Sequence, residues 1–214
     1  MVINELTILG FSEATLTMIL DNLESCGSFP AIRVLNNLNL MDLIPYENDA
    51  FNIEIISHLD KSNGVLDAFL GVYKPVIKQK VFELFKYQTP TYHNLIHKNT
   101  AISSTTTLGV GNMINSFVSV AAHTTIGNFV SINRNASVGH HTVVNDFATI
   151  NPGATVAGHV NIGNGSTIGM GANIIDGITI GNNTIIGAGS LVTKDMPDNV
   201  IAYGNPCKVI KANS

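Results

Sequence analysis

Ile162-Gly-Asn-Gly-Ser-Thr-Ile168-Gly-Met-Gly-Ala-Asn-Ile174-Ile-Asp-Gly-Ile-Thr-Ile180-Gly-Asn-Asn-Thr-Ile-Ile186 returns to isoleucine at every sixth position, with small and polar residues between. The frame runs far beyond this stretch. Stepping by six from Ile96 through Ile102, Leu108, Ile114, Val120, Ile126, Ile132, Val138, Val144, Ile150 and Val156 to Val192, seventeen consecutive positions carry Ile, Leu or Val. Neither a helix of period 3.6 nor a lone strand of period 2 writes such a pattern. The residue after the aliphatic is repeatedly Gly (109, 127, 139, 163, 169, 181, 187) or Asn (115, 133, 145, 151). Both tolerate left-handed backbone, so tight corners are expected there. Two residues before the aliphatic sit Ala136, Thr142, Ala148, Ala154, Ser166 and Ala172, which suit a narrow interior. One unit is then a short strand plus a corner. Three units make a triangular coil of 18 residues, stacked on the next at the strand spacing of roughly 4.8 Å.

Working outward, charge divides the chain. Between Asn99 and Thr193 the only charged residues are Arg134, Asp146 and Asp176, whereas the residues before Lys98 carry ordinary helix-like patterns of Glu, Lys and Leu. Over 214 residues the net charge is −4, with 45% hydrophobic and 12% charged residues. That excludes a disordered chain and argues against a nucleic-acid or membrane-surface binder, which needs a basic footprint. The start, Met-Val-Ile-Asn-Glu, has no positive region, and every apolar stretch is interrupted, so neither signal peptide nor membrane span is expected. Cys26 and Cys207 have no metal-type spacing, which fits a reduced, cytoplasmic protein.

The ladder resembles the left-handed β-helix of hexapeptide-repeat acyltransferases, and left-handedness is taken from that resemblance, since crossovers are otherwise right-handed. The segment Val192-Thr-Lys-Asp-Met-Pro-Asp-Asn-Val-Ile-Ala-Tyr-Gly-Asn-Pro-Cys-Lys-Val-Ile210 resembles the family's closing segment, with Cys207 where Ala is usual. The resemblance implies a homotrimer with acyl-CoA bound between neighbouring coils.

Ser137-Val-Gly-His-His-Thr-Val-Val-Asn-Asp-Phe-Ala-Thr-Ile-Asn-Pro-Gly-Ala-Thr-Val-Ala-Gly-His-Val160 narrows the likeness further. It resembles the sialic-acid O-acetyltransferase and bacillosamine-pathway N-acetyltransferase group, which acetylates sugars, often nucleotide-linked 4-amino-4,6-dideoxy sugars. That group's general base aligns with His140. The 18-residue coil supports the position independently: Ala122 falls beneath His140 and Gly158 above it, leaving room for substrate. The Gly158 N–H then lies about one strand spacing away, able to meet a developing oxyanion. Imidazole titrates in the range needed to take a proton from an amine or hydroxyl at neutral pH. The competing reading of His140 is a solvated polar corner. The pattern breaks at the next catalytic position, where the group carries Asp or Glu and this chain has His141. Asp146, a backbone carbonyl or a neighbouring subunit remain as alternative partners for the base.

His123, His141 and His159 recur at the 18-residue interval and should form one column. Rings stacked in a column do not converge tetrahedrally on an ion, so a polar ladder is expected there and no metal cofactor. Asn115, Asn133 and Asn151 form a similar ladder, read as structural. The resemblance places acetyl-CoA, as cosubstrate, against Thr149, Gly158, Met170 and Ala188. Lys208, with Lys194 and Lys211, stands where CoA phosphates would be met; solvated tail lysines are the alternative. Cys207 reads as packing rather than as a nucleophile.

Before the ladder, strands are expected at Glu5–Gly10, Ala31–Leu35, Phe51–Ser57 and Leu66–Leu70. Helices are expected from Ser12, a good N-cap, to Ser25 and from Pro75 to Lys86. Strands alternating with helices indicate a small parallel α/β, Rossmann-like domain. In the family the first strand–helix turn holds part of the nucleotide-sugar. Here it reads Gly10-Phe-Ser-Glu-Ala-Thr15: Gly10 and Ser12 match, later glycines do not, and Glu13 is a poor neighbour for pyrophosphate. Gly71 matches a second substrate-contacting position. The expected layout is an α/β domain at 1–91, a left-handed β-helix at 92–193 and a closing tail at 194–214.

The expected function is acetyl-CoA-dependent N-acetylation of a nucleotide-linked amino sugar by direct transfer, serving surface-polysaccharide biosynthesis. Sugar O-acetylation is the second reading, because the same base serves either nucleophile. A metal-dependent hydratase or a non-catalytic β-helix is the third.

Overall fold

In the computed structural model, which describes residues 4–10, 12–28, 31–35, 51–56, 66–88 and 90–213, each hexapeptide is a two-residue strand and a corner. From Leu95–Ile96 to Asn173–Ile174, every strand pairs in parallel with the one 18 residues on: Ser119 with Ser137, Val143 with Asn161, Thr149 with Thr167. The result is a left-handed parallel β-helix of about 8 turns. It has three sheets, of six, five and eight strands. The ladder aliphatics point inward into one continuous cluster, with Ile132, Val144, Ile150, Ile162, Ile168 and Ile186 fully enclosed. Ile96, Ile102 and Leu108 are only partly buried, because the first coil has a coiled neighbour on one side only. Each enclosed Ile contributes ~1.5–3 kcal/mol of burial. Ala136, Ala148, Ala154 and Ala172 fill the narrow interior.

The corners differ from expectation in one respect. Left-handed backbone falls three residues after the aliphatic, at Phe117, His123, Asn135, His141, His159 and Asn183 among others, and not at the Gly or Asn directly after it. Those glycines answer a steric demand. A Cβ on Gly139 would lie 2.5 Å from the Gly158 nitrogen, and one on Gly169 would lie 2.5 Å from the Ala188 nitrogen, so the next coil passes where a side chain would be. At one corner Asn replaces glycine and turns inward. Asn115 Nδ2 donates to Asn133 Oδ1 at 2.8 Å, both residues being buried.

The coil is closed by its tail. Strand Val200–Gly204 pairs in parallel with Ile185–Ile186, and Cys207–Ala212 returns antiparallel beside it. The chain divides into two compact units, Met1–Leu95 and Ile96–Ser214.

The described residues of the first unit include a five-stranded parallel sheet. Its strands are β1 (Glu5–Leu9), β2 (Ala31–Leu35), β3 (Ile53–Ile56), β4 (Asp67–Leu70) and β5 (Thr91–Tyr92), in the order β3-β2-β1-β4-β5. Helix α1 (Glu13–Ser25) begins where Ser12, in extended conformation, accepts from the Thr15 N–H. Helix α2 (Pro75–Phe85) carries proline in its first turn and passes into a single 3₁₀ turn at Lys86–Gln88. This is the α/β sheet expected before the coil, with strand limits shifted by a residue or two. Phe11 and Ser57 lie outside the described residues.

Candidate active site

His140 occupies the corner between strands Ser137–Val138 and Val143–Val144. Its imidazole leans over Gly158, one coil on: a Cβ built on Gly158 would sit 2.7 Å from His140 Cε1 and 2.9 Å from Nε2. Glycine is therefore what lets the ring lie there. The neighbouring corner shows what is special about this one. There the corner N–H groups of Val110, Asn128 and Asn164 are capped from the next coil by Asn128, Asp146 and Asn182, at 3.0, 2.7 and 2.8 Å. At the His140 corner no side chain does this. Among the described residues the Gly158 N–H has no acceptor, although Gly158 is buried. An unspent donor thus stands beside an imidazole nitrogen.

His141 lies directly against His140. Its Nδ1 is 3.1 Å from His140 Nδ1, and the two rings meet edge to face at 5.2 Å. His123, His141 and His159 form the column expected from their spacing, with 5.0 Å between successive rings. Desolvation within this cluster holds His141 below its ordinary pKa, helped by repulsion from His123, His159 and His140. His140, His141 and His159 bring ligand nitrogens within 4.8 Å of one another. Zinc with nitrogens at ~2.0–2.1 Å needs those nitrogens to converge. The His141 and His159 rings instead stack at 13°, and their lone pairs run side by side. The set that approaches ligand spacing thus includes His140 and leaves out His123, unlike the column read from sequence.

The positions aligned with cofactor contacts separate into three environments. Met170 and Ala188 are exposed and adjacent on another corner, where the Gly189 N–H donates to the Met170 carbonyl at 2.8 Å. Thr149 is fully buried in its strand, and its hydroxyl has no partner among the described residues. Lys194, Lys208 and Lys211 are exposed, the last two on the antiparallel closing strand. Cys207 is buried, and burial raises its thiol pKa against an opposing hydrogen bond from Ser190, as suits packing.

In the first unit Gly10, Ser12 and Gly71 come together at the carboxyl ends of β1 and β4. Gly10 takes a left-handed φ of 76°. The Gly71 N–H donates to the Leu9 carbonyl at 2.9 Å, and any side chain on Gly71 would strike the Gly10 carbonyl. In an open α/β sheet this reversal of strand order is where ligands bind. The Ser12 hydroxyl is already engaged with Thr15, Oγ to Oγ1 at 2.9 Å.

A family model described as bacterial transferase hexapeptide (six repeats) matches residues 159–194. Over those residues the chain is similar to that family, and its coil has the left-handed β-helix fold. No curated protein matches it in sequence. Among solved structures, the acetyltransferase domain of PglB from Neisseria gonorrhoeae, in complex with acetyl coenzyme A, is similar with a TM-score of 0.85 and 24% identity, over 97% of this chain and 100% of that one. PerB from Caulobacter crescentus, solved with CoA and GDP-perosamine, is 26% identical with a TM-score of 0.82, over 98% of each chain. A mutant GDP-perosamine N-acetyltransferase from the same organism is 25% identical with a TM-score of 0.81, also over 98% of each chain.

One residue of this hexapeptide-repeat protein escaped the sequence reading. A Cβ on Gly158 would also lie 2.9 Å from Asp176 Oδ1, so a carboxylate faces the space that His140 Nε2 faces. Asp176 stands 18 residues beyond Gly158, and the same arithmetic that placed Gly158 would have found it. Of the two carboxylates between Asn99 and Thr193, Asp146 is committed to the Asn128 N–H, whereas Asp176 makes no hydrogen bond or ion pair among the described residues.

Proposed function

We propose that the protein is an acetyl-CoA-dependent N-acetyltransferase acting on a nucleotide-linked amino sugar of the 4-amino-4,6-dideoxy type. The observation that carries this is His140 Nε2 lying over a glycine whose N–H has no partner. A base and an oxyanion donor on adjacent coils are the two groups acyl transfer to an amine requires. The sugar nitrogen attacks the thioester carbonyl carbon, and the tetrahedral adduct carries positive nitrogen and negative oxygen. His140 Nε2 takes the nitrogen's proton, the Gly158 N–H meets the oxygen, and collapse breaks the C–S bond to release CoA. Asp176 favours an amine over a hydroxyl, because a carboxylate facing the base stabilises the nitrogen's positive charge and offers a neutral hydroxyl nothing.

Neighbours solved with CoA and GDP-perosamine support both substrate classes. Gly10, Ser12 and Gly71 would take the nucleotide part, with backbone approaching phosphate where the strand order reverses. Met170 and Ala188 would contact the CoA arm, Thr149 would contribute backbone, and Lys208 would meet phosphate. The proposed assembly is a cytoplasmic homotrimer serving surface-polysaccharide synthesis, with acetyl-CoA between copies.

The test follows thiol release from acetyl-CoA with a panel of nucleotide 4-amino and 4-hydroxy sugars, for wild type and His140→Ala. Turnover confined to amines and lost in His140→Ala is expected. Turnover confined to hydroxyl sugars would redirect the reading to O-acetylation, and undiminished transfer by His140→Ala would remove the base.

A further inference from the structure

Two imidazole nitrogens 3.1 Å apart, His140 Nδ1 and His141 Nδ1, share one hydrogen bond, and therefore one proton. Only two arrangements of the neutral pair exist. If His141 donates, His140 accepts at Nδ1 and must carry its own proton at Nε2, so the nitrogen over Gly158 has no lone pair to offer. If His140 donates, its Nε2 is bare and able to take a proton. We propose that His141 is a positioning residue that accepts the His140 Nδ1–H, and that the His123–His141–His159 column keeps it neutral enough to do so. The inference rests on the reading of His140 as the base.

The proposal makes the base conditional on its neighbour's charge. A protonated His141 has no acceptor nitrogen left. It can only donate, which forces His140 into the unproductive tautomer even while His140 itself is neutral. The surroundings of His141 oppose that protonation. His123 lies on one side of it, His159 on the other and His140 at its edge, with ring centroids 5.0, 5.0 and 5.2 Å away. Among the described residues no carboxylate pairs with any of these rings within 4.0 Å, and Asp176 faces His140 across Gly158. The lowered pKa of His141 agrees with this. A carboxylate at 141 would accept the same proton through its charge. A neutral imidazole accepts it through a lone pair, and the column supplies the condition for neutrality.

The backbone suits clean variants. His141, His123 and His159 have φ of 56°, 58° and 55°, in the left-handed region that Gly and Asn adopt readily, as Asn135 and Asn183 already do at equivalent corners. His141→Asn keeps an acceptor oxygen near the position of Nδ1 but cannot titrate. His141→Gly removes the acceptor without straining the chain. We expect kcat to fall ~10- to 100-fold in His141→Gly. Neither substrate's KM should move, and His141→Asn should stay within about threefold of wild type. His159→Asn and His123→Asn remove repulsion, so His141 should protonate at higher pH. The acid limb of the pH–kcat profile should then rise by about half a pH unit, an effect absent when His123→Asn is combined with His141→Asn; His159, whose ring also lies 5.0 Å from that of His140, does not give this separation.

Nitrogen-15 spectra of the imidazoles, assigned with His140→Ala, read the tautomer without any substrate. The Nδ1–H form of His140 is expected above the acid limb, converting as His141 protonates. An Nε2–H form in the wild type, or His141→Gly turning over at the wild-type rate, overturns the proposal. If His140→Ala is inactive while His141→Gly is not impaired, this inference falls alone. If His140→Ala retains full transfer, the assignment of the base falls, and the spectra still decide whether His140 donates to His141.

Discussion

The chemistry proposed for this protein turns on a residue with no side chain. A Cβ at 158 would sit 2.7 Å from His140 Cε1, so Gly158→Ala pushes the imidazole aside, while Gly158 itself is not in the left-handed region and alanine adopts its backbone without strain. Displacing a catalytic group by about an ångström costs ~100-fold. We therefore expect kcat in Gly158→Ala to fall at least that far, with thermal unfolding within ~1 kcal/mol of wild type. A variant that turns over normally would show that the ring need not lie over residue 158. Asp176→Asn keeps the shape and removes the charge. The kcat/KM for an amino sugar should fall ~2- to 5-fold while the KM for acetyl-CoA stays put, as expected of an exposed charge interaction of ~0.5–1 kcal/mol. Equal kcat/KM values for the amine in both proteins would end the role given to Asp176. His140 and Gly158 were legible from the sequence because the coil converts residue number into position. Asp176 was equally legible by arithmetic, but nothing in its type marks it, since acids at corners commonly cap backbone as Asp146 does. The His140–His141 hydrogen bond was not legible, because it depends on the rotamers of two adjacent rings and not on register.

At the scale of elements, the ladder was readable because one aliphatic per six residues has a single packing solution. The corner glycines were misread because glycine serves two purposes, left-handed backbone and close approach. Only the structure shows that the seven following the aliphatic serve the second. The Asn ladder replaces that contact with hydrogen bonds. Asn133→Ala removes the acceptor of the Asn115 amide in a buried setting and should cost ~1–3 kcal/mol of coil stability, measured by denaturant unfolding. In the first unit, Lys78 on α2 is 4% exposed, and burial lowers its pKa from 10.5 to about 7. Between those values the unfolded chain binds the proton and the folded unit does not, so unfolding takes up protons and stability rises with pH. Below about 7 both states are charged and the penalty is full; above 10.5 neither is. Both described α-helices lie in this unit, so ellipticity at 222 nm reports on it. The midpoint of that transition should climb from pH 7 to 9.5, and Lys78→Met should flatten the slope; a flat wild-type profile would contradict the assignment.

At the scale of the molecule, a solenoid's stability is a sum of nearest-neighbour terms, so what an element is worth depends on where along the coil it lies. The clearest case is the closing hairpin, where Val200–Gly204 continues the sheet in parallel and Cys207–Ala212 ends it antiparallel, with Ala202 and Cys207 inside the core cluster. Asn213 adds two bonds back to the coil, its N–H to the Asn199 carbonyl at 2.8 Å and its Nδ2 to the Asn183 carbonyl at 2.7 Å. Truncation before Val200 removes this cover from Ile186 and leaves Ile185–Ile186 as an open edge, a template for pairing with other chains. The truncated protein should lose at least ~3 kcal/mol of stability and scatter light increasingly with concentration. Because influence passes only from coil to neighbouring coil, the soluble fraction should keep the His140 tautomer and the acid limb of its pH profile. Loss of scattering resistance with an unchanged pH profile is the signature of a one-dimensional fold. A shifted profile would instead mean that the corner at His140 feels the end of the coil, three turns from the residues removed.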